Sequence, residues 1–230
     1  MSHSVPIHLR PTAPLAERVL LPGDPGRALA LAQELLEEPR MFNHHRGLWG
    51  YTGAAPDGAA LTIQATGMGG PSAAIVLAEL IALGARRAIR VGTCGALAEG
   101  LALGDLVIAH DSICADGTSR ALGAGERAAA DPALTQALAS HAPAARLGTI
   151  VSVDLFYETG ERRPHAGAIA VEMEAAALFA AGAAAQVPVA CVLAVSDTFD
   201  ASGARARIDD AALLAAAEEM GRAAIAALAG

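Results

Sequence analysis

Leu61-Thr62-Ile63-Gln64-Ala65-Thr66 runs into Gly67-Met68-Gly69-Gly70-Pro71, and Ser72 to Leu83 follow before Gly84. The first six residues are short, apolar and rich in β-branched side chains, the pattern of a buried strand. The glycine-proline cluster is a turn, Ser72 to Leu83 carry helical spacing, and Gly84 is a C-terminal stop. The same unit recurs. Val19-Leu20-Leu21 stops at Pro22-Gly23-Asp24-Pro25, after which Ala28 to Leu36 reads as a helix. Ala88-Ile89-Arg90-Val91 ends at Gly92-Thr93-Cys94-Gly95. Leu106 to Ala109, Leu147 to Val153, Ile169 to Val171 and Val189 to Val195 continue the strands, and Leu213 to Leu228 closes the chain as an amphipathic helix. Strands alternating with helices predict an α/β fold on a parallel or mixed sheet, with residues 1–230 as one domain. Residues 116–130 and 158–167 show no period and read as loops suited to carry specificity.

Composition narrows the function. Hydrophobic residues make up 53% of the 230 and charged residues 17%, so the chain is globular, neither disordered nor a coiled coil. All 16 basic residues are arginine, which removes lysine chemistry and any Walker-type phosphate loop. A net charge of −8 and 3% aromatics exclude a basic nucleic-acid-binding face and a base-stacking platform. Cys94, Cys114 and Cys191 are widely spaced and odd in number, as expected of reduced thiols in the cytoplasm. The first ten residues hold no apolar signal stretch, and Glu172, Glu174, Gly182 and Gln186 interrupt the alanine run 175–185. A soluble protein without a membrane anchor is expected.

Two arginines stand at glycine-rich turns. Gly23-Asp24-Pro25-Gly26-Arg27 puts one in the first turn of a helix, and Arg90 lies inside a buried-looking strand just before Thr93. An arginine in a core strand costs several kcal/mol unless paired. Its partner is either a structural carboxylate such as Asp24 or Glu79, or a bound oxyanion gripped by the guanidinium.

Six motifs in order carry a wider resemblance: Pro22-Gly23-Asp24-Pro25-Gly26-Arg27, His45-Arg46-Gly47, Gly67-Met68-Gly69-Gly70-Pro71-Ser72, Arg90-Val91-Gly92-Thr93-Cys94-Gly95-Ala96, Val171-Glu172-Met173-Glu174-Ala175 and Val195-Ser196-Asp197. From about His8 to the last helix the chain resembles the hexameric bacterial nucleoside phosphorylases, and most of all their purine branch. The resemblance implies a three-layer αβα sandwich around a central mixed sheet, assembled as a homohexamer, a trimer of dimers. Its substrates would be a purine nucleoside and inorganic phosphate, with no cofactor and no metal. Phosphate would meet Gly23, Arg27, Arg90, Val91, Gly92 and Thr93, with Arg46 arriving from a neighbouring subunit. Ribose would meet Met68, Glu172, Met173, Glu174 and a neighbour's His8. The base would meet Cys94, Gly95, Phe156, Val171, Ser196 and Asp197. Asp197 would act as general acid at N7, which calls for a carboxyl pKa raised by burial at a strand end.

Three departures sharpen the expectation. Leu213 stands where the purine branch has an arginine that assists the acid, so Arg205 or Arg207 must take that part. Gly160 stands where the uridine branch has a glutamine, and Asp197 where that branch has asparagine. Gly47 replaces the glutamate that binds a monovalent cation there. Alternatives are a uridine phosphorylase, a nucleosidase of the same fold, or a non-catalytic nucleoside-binding protein. The nucleosidase has no use for Arg27, Arg46 and Arg90 together, and the binding protein none for Asp197 beside Glu174.

Overall fold

The computed structural model describes residues 6–157, 167–200 and 203–230. The first half runs β1 (Arg18–Leu21), α1 (Pro25–Leu35), β2 (Glu37–Asn43), β3 (Gly50–Ala54), β4 (Ala60–Gln64), α2 (Gly70–Leu83), β5 (Arg87–Ala96) and β6 (Leu106–Ala115). The second runs α3 (Gly117–Ala121), β7 (Arg127–Ala129), α4 (Pro132–His141), β8 (Arg146–Val153), β9 (Ala170–Glu172), α5 (Ala175–Ala185), β10 (Val189–Phe199), β11 (Arg205–Arg207) and α6 (Asp210–Ala229). The described strands form one mixed sheet in the order β11-β10-β6-β8-β9-β5-β1-β4-β3-β2, with β7 on β6. An additional β10–β5 pairing closes β5, β10, β6, β8 and β9 into a ring.

The central strands are buried on both faces. Along β10, Ala190, Val192 and Ala194 pack with α1, α4 and α6, while Val189, Cys191, Leu193 and Val195 pack with α2 and α5. Hence these strands read as uninterrupted apolar runs, and the expected αβα sandwich is what forms. No helix among the described residues is long and apolar enough to cross a membrane.

Three segments differ from the sequence reading. Residues 116–130, expected as a loop, hold α3 and β7; Asp116 caps α3 by accepting from the Ser119 amide at 2.7 Å. The β2–β3 hairpin escaped because β2 is a polar edge strand, Glu37-Glu38-Pro39-Arg40, whose charges guard the sheet edge. Strands β5 and β10 run past their expected ends to Ala96 and Phe199, since β9 and β11 pair with residues that looked like turns. The second expected loop lies outside the described residues except for Gly167, and Gly160 with it.

Candidate active site

Strands β4, β1, β5 and β10 are mutually parallel, so their carboxyl ends share one edge. A cavity of about 1050 Å³ opens there. Ligands in open α/β sheets sit at this edge.

The cavity floor is an ion cluster. Arg90 is 3% exposed; its Nε donates to Glu172 Oε2 at 3.0 Å and its Nη2 to Glu174 Oε2 at 2.5 Å. The partner is thus neither Asp24 nor Glu79, as the sequence had suggested. Strand β9 makes this possible: it pairs with Gly95 and Ala96 of β5 and with Ile150 to Ser152 of β8, which delivers Glu172 beside Arg90. Burial opposes the Arg90 charge, but Glu174 and Glu172 together hold its pKa above the ordinary value. Arg90 Nη1 is buried and has no hydrogen-bond partner among the described residues. Gly92 is required here, because a Cβ would stand 2.7 Å from Arg90 Cζ.

The two glutamates do different work. Glu172 accepts from Arg90, from Ser152 Oγ and from the amides of Glu174 and Ala175. Its side chain is 1% exposed, and burial, the largest influence, raises its pKa although Arg90 pulls the other way. Its oxygens position Arg90 and open α5, and Glu172 also lines the cavity with Met173 and Glu174. Glu174 accepts one bond on each oxygen, Gly69 N–H at 2.5 Å on Oε1 and Arg90 on Oε2. Each oxygen retains a lone pair for a hydroxyl.

Gly23, Arg27, Gly92 and Thr93 line the cavity with Arg90, and the charges of Arg27 and Arg90 are close enough to repel. Asp24 caps α1 by accepting from the Arg27 amide at 2.7 Å, with Pro25 at the helix start, and this fixes Arg27 in the first turn. Burial lowers the Arg27 pKa against the opposing pull of Asp24. Arg46 borders its own chain's cavity. It holds a left-handed backbone at φ 60, with Gly47 at φ 70, a conformation an arginine keeps only under constraint. Met68 and Met173 also line the cavity, Met68 with 89% of its surface exposed.

Cys94, Gly95, Val171 and Phe156 line the same cavity. A register shift in β10 between Val195 and Asp197 turns the strand, and Asp197 faces the cavity. Ser196 Oγ donates to Asp197 Oδ2 at 2.7 Å, and Arg205 Nε donates to Oδ1 at 2.7 Å. Of the two arginines weighed, Arg205 therefore takes the place beside the acid. Burial pushes Asp197 up, but the hydrogen bonds of Arg205 and Ser196 and the charges of Arg205 and Arg207 leave its pKa below the ordinary value. The expected upward shift is corrected.

Two of the expected residues do not line this chain's own cavity, His8 being expected there only from a neighbour. The Val91 side chain is in the core with α1 and α6; its place in the phosphate set is corrected, because alternation along β5 turns it away from the cavity. His8 lies outside the cavity, its Nδ1 2.7 Å from Glu79 Oε1 on α2. Glu79 also accepts from the amides of Ile7, His8 and Leu9. The sequence reading missed Phe199, which lines the cavity. The signal was present, since Phe199 follows Asp197 by two and strand residues two apart share a face. Among the described residues no three His, Cys, Asp or Glu side chains converge to hold a metal ion.

The Phosphorylase superfamily matches residues 17–229, and the chain belongs to it. Curated relatives include a protein named Purine nucleoside phosphorylase DeoD-type from Alkaliphilus metalliredigens, 37% identical over 201 residues that span 82% of this chain and 85% of that protein. The protein of that name from Clostridium beijerinckii is 37% identical over 206 residues, 84% of this chain and 86% of its own. That from Geobacillus kaustophilus is 36% identical over 201 residues, 81% of this chain and 83% of its own.

Proposed function

We propose that this chain is a purine nucleoside phosphorylase, which converts a purine nucleoside and phosphate into free base and pentose 1-phosphate. The observation that carries the reading is the buried, unpartnered Nη1 of Arg90 beside Arg27 and Thr93, next to the open lone pairs of Glu174. An oxyanion nucleophile and a sugar hydroxyl pair fit side by side there. Hydrogenphosphate bound by Arg27, Arg90 and Thr93 attacks C1′ as the C1′–N9 bond breaks. The arginines orient it and bring its charge beside the developing oxocarbenium ion. Glu174 takes the ribose hydroxyls. The base lies between Phe156 and the Val171, Cys94 and Gly95 wall, and Asp197 passes a proton to N7 so that the purine leaves neutral. The proton of hydrogenphosphate restores Asp197, so atoms and charge balance without a cofactor.

The decisive assay is incubation with inosine, with and without phosphate. Hypoxanthine and ribose 1-phosphate formed only with phosphate are expected. Hypoxanthine released without phosphate makes the protein a nucleosidase, and binding without turnover makes it a nucleoside-binding protein.

The assembly proposed is a homohexamer whose sites are completed across an interface by His8 and Arg46. Support comes from the exposed apolar side chains Ile7, Ile75 and Leu122. The Ile7 amide is fixed to Glu79, one turn from Ile75 on α2, and the first residue of α2 approaches Thr118 of α3. A second copy covering this face would bring its own His8 and Arg46 to the cavity lip. Mixing Arg46→Ala with Asp197→Ala subunits should then restore activity, while mixed oligomers as inactive as their parents would return Arg46 to its own chain.

A further inference from the structure

Arg46 borders the cavity from the turn between β2 and β3, with its backbone at φ 60 and ψ 18. A left-handed arginine persists only where its surroundings fix it. The far end of the turn is fixed from below. Asn43, the fully buried last residue of β2, donates through Nδ2 to Leu48 O at 2.5 Å, and Gln64 at the end of β4 donates to the same oxygen at 3.0 Å. The near end is fixed by His45, whose Nδ1 lies 3.0 Å from the backbone oxygen of His8. A carbonyl oxygen only accepts, so Nδ1 carries the proton in the neutral ring and in the charged ring alike. The oxygen it meets is itself held. Glu79 accepts from the amides of Ile7, His8 and Leu9 and meets the His8 ring at 2.7 Å. The Arg10 amide donates to Asn43 Oδ1 at 2.9 Å, and Leu9 is buried. Residues 7–10 are thus a docked segment, and the His45 ring fastens the Arg46 turn to it.

We propose, on the reading given under Proposed function, that His45 positions Arg46 to grip phosphate. With His45 fixed on one side and Leu48 on the other, the two residues between them close the gap left-handed, Arg46 at φ 60 and Gly47 at φ 70. The Arg46 side chain then leaves the turn at the cavity lip, where Gly47 and Leu48 also lie. Without the ring bond, His45 keeps only a 3.4 Å contact from Asn43 Nδ2 to its oxygen as a side-chain tie among the described residues, long for a hydrogen bond. Arg46 then relaxes to the right-handed or extended backbone that an arginine prefers, and its guanidinium leaves the phosphate. Arg46 meets the phosphate; His45 acts through it and is a positioning residue. The same bond makes His8 and Arg46 one unit, so they arrive together at whichever subunit's cavity they serve.

The test is initial-rate kinetics of the intact protein, varying inorganic phosphate at saturating inosine and then the converse. His45→Phe keeps a flat ring but has no donor, and His45→Ala carries the same comparison if the phenylalanine variant does not fold. The phosphate KM should rise about three- to tenfold, the worth of one hydrogen bond. Inosine KM, and kcat at saturating phosphate, should stay within about twofold of wild type, because Glu79 still holds His8. His45→Asn puts an N–H at the same distance along the side chain and should restore the wild-type phosphate KM. In an Arg46→Ala background, where the phosphate KM is already raised, His45→Phe should add nothing, since the two residues act as a unit. A bond that only braces the fold would lower the Tm of His45→Phe and leave its phosphate KM at the wild-type value. That result overturns the proposal, as does a rise that adds in full to that of Arg46→Ala. In both cases the wild type still needs phosphate for turnover and the proposed function stands. Wild-type turnover without phosphate, or none at all, overturns the proposed function and the role of His45 with it.

Discussion

Replacing Arg90 with methionine separates its structural work from its work on a ligand. The side chain is 4% exposed and is shared by two carboxylates whose side chains are 1% and 8% exposed. Removing one partner of a buried ion pair costs about 3–5 kcal/mol, because the charge left behind is uncompensated. At about 2–4 °C per kcal/mol for a chain of this size, thermal unfolding should fall by about 6–20 °C at pH 7. The loss should depend on pH with a definite sign. Glu172 already has a pKa raised above its ordinary 4.5, and without Arg90 it rises further. Such a group binds more protons folded than unfolded, so stability drops as pH climbs from about 4.5 towards the folded pKa. Part of the lost Tm should therefore return between pH 7 and pH 5. Adding Glu172→Gln to Arg90→Met should recover stability at pH 7 as well, since the amide can be buried uncharged. The assay is scanning calorimetry of wild type, single and double variants at both pH values. A single variant that unfolds within about 3 °C of wild type, or a double variant no more stable than the single, would refute this account of the cluster. In the folded double variant a phosphate KM unchanged from wild type would further take Arg90 out of the phosphate site.

Asp197→Asn should lower adenosine kcat/KM by about 10²–10⁴-fold and that of inosine by less, because a 6-oxopurine can spread departing charge towards O6; equal losses would mean that Asp197 only positions the base. In Gly92→Ala the new Cβ would stand 2.7 Å from Arg90 Cζ, so the guanidinium must shift off Glu174, and the phosphate KM should rise about tenfold or more, measured by initial rates at saturating inosine. Glu79→Gln should loosen the segment its carboxylate holds at Ile7, His8 and Leu9, seen as faster hydrogen exchange of those three amides; unchanged exchange would mean that the carboxylate does not hold them. Arg18 holds the Asp57 carboxyl at about 2, below its ordinary 3.8. The Tm gap between wild type and Arg18→Met should therefore be full above pH 3.8 and close as pH falls towards 2.

The layered fold is legible because its central strands must be apolar on both faces, so Val19 to Leu21, Ala88 to Val91 and Val189 to Val195 announce themselves. Arg90 is legible for the opposite reason, as a charge where none should be. Its partners are not, since Glu172 and Glu174 lie 82 and 84 residues away and meet it only because the short strand β9 bridges β5 and β8. Asp197 shows the same limit with consequences for chemistry. Its burial followed from the apolar run before it, and burial alone raises a carboxyl pKa. The sign reversed because β11 folds back antiparallel on β10 and returns Arg205 to within 2.7 Å of it, a pairing with no apolar pattern to betray it. The contrast between the two arginines follows from their settings. Arg90 has a desolvated cage and two fixed carboxylates, so it cannot leave without unfolding its surroundings. Arg205 has a side chain 33% exposed, one carboxylate and one ring face, so its charge is held by far fewer contacts. The buried charge on the floor is the one the fold itself fixes, and that gives the cavity a rigid place to hold an anion.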